Sequence, residues 1–222
     1  RRGGMSDPAA NRAAALAACA LPVVRAMRAT VPAPRGAPWY GLDLEVPFAP
    51  VALASLSEPG IFRKYERVLL LGAPLGGAAR WLAAHLGCRV VVAAPDPVAV
   101  AFGGILNHGA HGEEGVVFCR GAEAALPVRG RAFTHVWRIG APAAPAAVLA
   151  QAFAAVRPGG HVAVQLLPGE EAVAEALPDA ALAAGFESVT LKSIAVAEWP
   201  SVFHAARARA RAAVGDESLV PT

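Results

Sequence analysis

Between Arg67 and Leu86 an apolar run, a glycine cluster and a helical pattern follow one another without interruption, and that order leaves few folds open. Val68 to Leu71 reads as a strand, Gly72, Gly76 and Gly77 as a turn, and the residues through Trp81 to Leu86 as a helix. A strand with no polar alternation is buried on both faces, as in a parallel sheet covered by helices. Strand, glycine turn and helix in that order form the first βα unit of a doubly wound α/β domain. The glycines permit a close approach of backbone to a ligand. About twenty residues on, Arg89 to Ala94 repeats the buried-strand pattern.

The chain continues the alternation. Asp96-Pro97 opens a helix over Val98 to Leu106, with Asp96 as N-cap and Pro97 in the first turn. Asn107 to Gly112 is expected to be a loop, Val116 to Cys119 a third strand and Phe133 to Ile139 a fourth. An alanine-rich helix over Pro142 to Val156 is stopped by Pro158-Gly159-Gly160, and His161 to Leu167 is the fifth strand. Glu170 to Ala184 is a helix closed by Gly185; Phe186 to Ile194 and Val202 to Arg209 read as two late strands. Pattern alone gives an α/β domain with a parallel sheet.

Ahead of this domain, Pro8 to Ala29 favours a helix that Pro22 kinks or splits. Five prolines between Val31 and Pro50 then impose an extended arm. Its Trp39, Tyr40 and Phe48 belong either to a plain linker or to a segment docked on the domain or on a partner protein; docking is the preferred reading. Ser57 to Gly60 turns the chain into Ile61 to Glu66. The expected division is residues 1–56 as a helical and proline-rich extension, 57–214 as the α/β domain and 215–222 as a tail. Up to Arg35 the chain carries Arg1, Arg2, Arg12, Arg25, Arg28 and Arg35 against Asp7 alone. Arginine-rich, acid-poor starts are similar to organellar transit sequences, so a mitochondrial or other organellar matrix is expected, with a cytoplasmic setting as the alternative. Met5 as a true start is a further alternative.

A chain of 222 residues, 55% apolar and 17% charged, carries enough core for one domain and is not a disordered polymer. No apolar run reaches the eighteen or so residues of a membrane span. The net charge of +3 comes with no basic block, so the sequence shows no nucleic-acid footprint. Cys19, Cys88 and Cys119 have no metal-ligand spacing and read as small buried hydrophobes.

The glycine unit, the second strand and Arg157-Pro-Gly-Gly160 together resemble the class I S-adenosylmethionine-dependent methyltransferases, in particular their small-molecule branch. The likeness spans roughly Arg67 to Arg209. It implies a Rossmann-like, mostly parallel sheet of seven strands whose last pair forms an antiparallel edge; the seventh strand comes from the resemblance.

The resemblance also implies a site for a nucleoside sulfonium, which the family holds with four acids. Here the position inside the first strand is Leu70, the end of the second strand is Ala94, the adenine-side segment has Ala122, and the start of the fourth strand has Thr134. The turn's second glycine is Pro74, which lacks an N–H. Three of the four replacements cannot accept a hydrogen bond through their side chains. Asp96 and Glu123 stand nearby as shifted substitutes, so a retained site would use Gly72, Gly76, Gly77, Asp96 and Glu123. The expectation is a methyltransferase-like protein that has lost S-adenosylmethionine binding and acts as a structural or regulatory subunit of a larger assembly. An active methyltransferase on a small hydrophobic acceptor is the alternative, and a pocket kept for another ligand is the third.

Other candidates are weaker. His108, His111, Glu113 and Glu114 could be drawn as a metal site but read first as a loop. His135 and Trp137 could be a base and a stacking wall, or core. His161 is expected to be half exposed, and Trp199-Pro200 marks a turn. Arg207, Arg209 and Arg211 suit the solvated face of an edge strand first and a basic contact second.

Overall fold

Val68, Leu69, Leu70 and Leu71 are all fully buried, so strand β1 (Arg67–Leu71) has a packed layer against each of its faces. The computed structural model describes residues 11–14, 35, 39, 43, 50–58, 60, 62–109, 115–166 and 169–192. In chain order these hold α1 (Pro50–Ser57), β1, α2 (Gly77–Leu86), β2 (Arg89–Ala94), α3 (Pro97–Gly109) and β3 (Val116–Arg120). Next come β4 (Phe133–Ile139), α4 (Pro145–Ala155), β5 (Val156–Gln165) and α5 (Glu171–Ala184).

The strands form one sheet in the order β3-β2-β1-β4-β5, with every pair parallel. Alternation divides β1 between two cores. Val68 and Leu70 pack with Leu53 of α1, Leu82 of α2 and Trp137 of β4. Leu69 and Leu71 pack with Val136 of β4 and Val148 and Ala152 of α4. Successive strands step from β1 to β2 and β3, then resume on the other side with β4 and β5. The carboxyl ends of β1 and β4 therefore open on the crevice where such sheets bind ligands.

The Rossmann-like reading of the sequence holds, and β2 and β4 have the expected bounds. Four details differ. Helix α1 occupies a stretch to which the sequence assigned no element; Pro50 stands at its first position, and Leu53 joins the core. Helix α3 continues through Asn107, His108 and Gly109, which were expected to begin a loop. Its end is tied to β3, since Asn107 Nδ2 donates to Val116 O at 3.4 Å.

Pro158-Gly159-Gly160 lies inside β5 as a bulge and not ahead of it. The register passes from Phe133–Val156 straight to His135–His161. Proline offers no ladder N–H, Gly159 takes φ 72, and a Cβ on Gly160 would stand 2.6 Å from Thr134 O. Finally, residues 186–192 form no strand; Phe186 turns in against Phe153, ring centroids 5.2 Å apart, and Lys192 Nζ reaches Glu58 at 2.7 Å. The end of that expected strand, the Val202–Arg209 strand, Trp199-Pro200, Arg207, Arg209 and Arg211 lie outside the described residues. So do Cys19, Tyr40, Phe48, His111, Glu113, Glu114 and most of the Pro8–Ala29 helix, of which residues 11–14 are helical.

Candidate functional site

At the mouth of the crevice β1 gives way to Gly72, whose φ of 74 is open to glycine and strained for other residues. A Cβ at Gly72 would collide with the guanidinium of Arg138 and the carbonyl of Ile139. The first glycine thus permits a close approach, and the group that approaches is the chain's own Arg138. That side chain is fixed from two sides. Its Nε donates to Glu123 Oε2 at 2.9 Å and its Nη2 to Ala141 O at 3.1 Å. Both partners of the ion pair are mostly buried, at 13% and 18% exposure. Glu123 projects from a tight turn closed by Ala125 N–H donating to Ala122 O. Named from the sequence as a substitute cofactor acceptor, it serves here as the counter-ion of Arg138.

The second part of the turn is enclosed as well. Gly76 takes φ 80 at the N-cap of α2, and a side chain there would strike the ring of Phe118. Gly77, buried, opens the helix. One turn on, Arg80 is fully buried; its Nη2 donates to Leu75 O at 2.6 Å. Its Nε and Nη2 both donate to Asp43 Oδ2, at 3.1 and 2.6 Å. Asp43 belongs to the proline-rich arm and is itself 3% exposed. The arm makes further contacts: Arg35 Nη2 donates to Ala84 O at 2.8 Å, and Trp39 is 2% exposed. Trp39 is therefore buried within this chain.

Asp96 is exposed and caps α3, as its place before Pro97 implied. Its Oδ1 accepts from Val98 N–H at 2.9 Å, and its carbonyl accepts from Val100 N–H at 3.1 Å. It also borders a cleft of about 350 Å³ with Arg12, Leu75 and Phe102. A second shallow cleft of about 350 Å³ lies beside Arg120, Gly121 and Ala122. Between them β2 ends in Ala94, 3% exposed, where a ribose would require a carboxylate. Leu70 is fully buried against Trp137. Gln165, at the carboxyl end of β5, is 4% exposed with neither amide atom paired among the described residues.

His135 and Trp137 are core. His135 stands opposite Val68 near the amino end of the sheet, away from the crevice, and stacks on Phe62 with ring centroids 4.0 Å apart. The Thr134 hydroxyl gives its one proton to Arg67 O at 2.8 Å, so it accepts from Arg67 N–H at 3.0 Å and from His135 Nδ1–H at 2.9 Å. That puts the imidazole proton on Nδ1. Nε2 is left buried and without a partner among the described residues. Burial first, then His161 and Arg157, push the imidazole down to about 4 against an opposing pull from Glu66.

A proton binds the unfolded ring near 6.5 but the folded ring only near 4. The stability this group confers is complete above 6.5 and is lost as pH falls toward 4, about 3 kcal/mol in all. Urea denaturation across that window should show the loss, and His135→Phe should flatten it.

Among the described residues no cluster of three His, Cys, Asp or Glu side chains could hold a metal ion. His108 is exposed on the last turn of α3, and His161 is exposed on β5. Burial, then Glu66, raises the Cys88 thiol to about 12; burial also raises Cys119, so neither is a ready nucleophile. Sequence reasoning missed Arg138, Arg80 and Asp43. Two signals were present: an arginine near the end of a strand that is buried along most of its length, and another one turn into a mostly apolar helix.

No protein-family model and no curated protein matches this sequence. Solved structures do match it. The Haemonchus contortus phosphoethanolamine N-methyltransferase 2, in complex with S-adenosyl-L-methionine, superposes with a TM-score of 0.60 at 17% identity. The match covers 81% of this chain and 47% of that one, so the chain spans about half the length of that relative. A complex of the Haloferax volcanii Trm112 methyltransferase activator with a candidate methyltransferase gives 0.56 at 20% identity, over 66% of this chain and 72% of that one. The [4+2]-cyclase SpnF gives 0.58 at 17% identity, over 73% and 66%. The fold is that of the class I S-adenosylmethionine-dependent methyltransferases. The presence of a cyclase among these structures shows that the fold alone does not fix the chemistry.

Proposed function

We propose that this methyltransferase-like protein has given up S-adenosylmethionine binding and serves as a non-catalytic structural or regulatory subunit of a larger assembly. One observation carries the reading: the Arg138 guanidinium lies across Gly72, held there by Glu123 and Ala141, on the backbone that a nucleoside cofactor would need to approach. A sulfonium brought to that point would meet a like charge instead of a carboxylate. Leu70, Ala94 and Ala122 at three of the four acid positions add to it, while the fourth, Thr134, bonds Arg67 at the opposite edge of the sheet. Hydrogen bonds to charged groups contribute about 1.5–3 kcal/mol each, so losing several turns micromolar binding into roughly millimolar or weaker.

Trp39 is spent within the chain, so an arm contact with a partner would fall to Tyr40 and Phe48. The arginine-rich start supports an organellar, mitochondrial setting for that assembly. The rival reading, an active methyltransferase with a shifted site, draws on Asp96, which borders a cleft large enough for part of a nucleoside.

S-Adenosylhomocysteine at about 1 mM distinguishes them by thermal unfolding. A ligand with millimolar affinity stabilises by about 0.4 kcal/mol and one with micromolar affinity by about 4 kcal/mol. For a chain of this size these are melting shifts of about 1 °C and at least about 8 °C. The smaller shift is expected, and the larger would return the site to catalysis.

A further inference from the structure

The amino-terminal edge of the sheet, opposite the crevice, collects charge that is scattered along the sequence. Because the strands are parallel, their first residues share that edge. Arg67 and Arg89 open β1 and β2 and stand side by side in register. Arg157 is the second residue of β5, Arg131 lies two residues ahead of β4, and Arg63 and Lys64 lead into β1. All six are exposed. Four adjacent strands set the row over about 15 Å. Among the described acids, Glu66 lies 3.5 Å from Arg157, Glu187 follows α5 near this edge, and Glu58 is taken by Lys192.

Tyr65 stands within the row. It is 59% exposed, with Lys64 Nζ 5.0 Å and Arg89 Cζ 5.5 Å from the centre of its ring. Its φ is 72, a left-handed conformation unfavourable for an aromatic residue, and its N–H donates to Gly87 O at 2.9 Å. A large ring held outward in a strained backbone, between two cations, gains nothing from core packing.

We propose that this edge binds single-stranded nucleic acid, with the cations following the phosphates and Tyr65 stacking on a base. Cationic tracks interleaved with an exposed aromatic are how proteins hold unpaired strands without reading sequence. A duplex keeps its bases stacked and offers no face to a lone ring. A bilayer surface is the poorer fit, because the patch is built from strand ends and loops and, among the described residues, has no amphipathic helix to lay into lipid. This inference is independent of whether the crevice binds a cofactor.

Fluorescence anisotropy of a labelled oligouridine RNA of about 20 nucleotides, with single-stranded DNA of equal length and anionic phospholipid vesicles in parallel, tests it. Both oligonucleotides should bind, with log K falling linearly in log salt. Arg67→Gln with Arg89→Gln should weaken binding about tenfold at low salt and flatten the slope by about 1.4. Tyr65→Ala should weaken it about fivefold or more with the slope unchanged, and Tyr65→Leu should do the same while keeping an apolar side chain. Melting curves confirm that each variant is folded. No anisotropy change at low salt, binding that all three variants retain, or capture by vesicles with none by oligonucleotides would each overturn the proposal.

Discussion

Asp43→Ala should destabilise the fold by about 3–5 kcal/mol, because it leaves the fully buried Arg80 guanidinium without its counter-charge. Among the described residues only the Leu75 carbonyl would remain as its hydrogen-bond partner, and a buried cation is not satisfied by one neutral acceptor. In a chain of this length the melting temperature should fall by about 6–20 °C. The paired change Asp43→Leu with Arg80→Met should recover most of that loss, since apolar replacement of both members of a buried pair is often neutral. This contrast identifies the cause as charge and not lost packing. It also tests whether the arm belongs to the fold, because Asp43 sits 37 residues from its partner in sequence. A loss below about 1 kcal/mol in urea denaturation would mean that the arm is not held by this pair.

Leu70→Asp, which restores the acid that the methyltransferase family carries in its first strand, should cost about 4 kcal/mol or more. Leu70 is fully buried, flanked in register by Val92 and Trp137, so the change removes a core side chain and buries a carboxyl group with no partner. Burial raises the pKa of such a group, so the native state holds its proton longer than the unfolded chain does. The penalty relative to the parent chain should therefore grow as pH rises above about 3.9. Taking the difference between the two proteins at each pH removes the opposing contribution of His135. A cost under about 1 kcal/mol at neutral pH would show that this position still accommodates a polar group, as a working cofactor site requires.

The centre of the sheet was legible because β1 and β2 are apolar runs and because β2 and β4 have sharp ends. Arg89 to Ala94 and Phe133 to Ile139 stop where charge, glycine or proline begins. Asp96 and Gly185 were legible for a similar reason, since each does locally what its residue type does best. Helix α1 was not, because Pro-Val-Ala-Leu-Ala-Ser-Leu-Ser has no polar face to set a helical period and is bracketed by prolines. Asn107 and Gly109 look like terminators, yet α3 uses them for one more turn.

The identities at Leu70, Ala94 and Ala122 showed in the sequence what the crevice lacks, whereas Thr134 bonds Arg67 at the opposite edge of the sheet. What fills the crevice did not show, because Arg138 meets Glu123, and Arg80 meets Asp43, only through tertiary packing. The basic edge was hidden in the same way. Its cations lie in separate segments, and a parallel sheet brings their strand ends together.

Isothermal titration of the purified chain with S-adenosylmethionine and S-adenosylhomocysteine tests the central claim most directly. A folded sample in which Arg138 covers Gly72 should give no binding heat up to about millimolar ligand, the limit that loss of several charged hydrogen bonds implies. Saturable heat with a micromolar midpoint would contradict the account, and would require Arg138 and Glu123 to part and reopen the glycine turn.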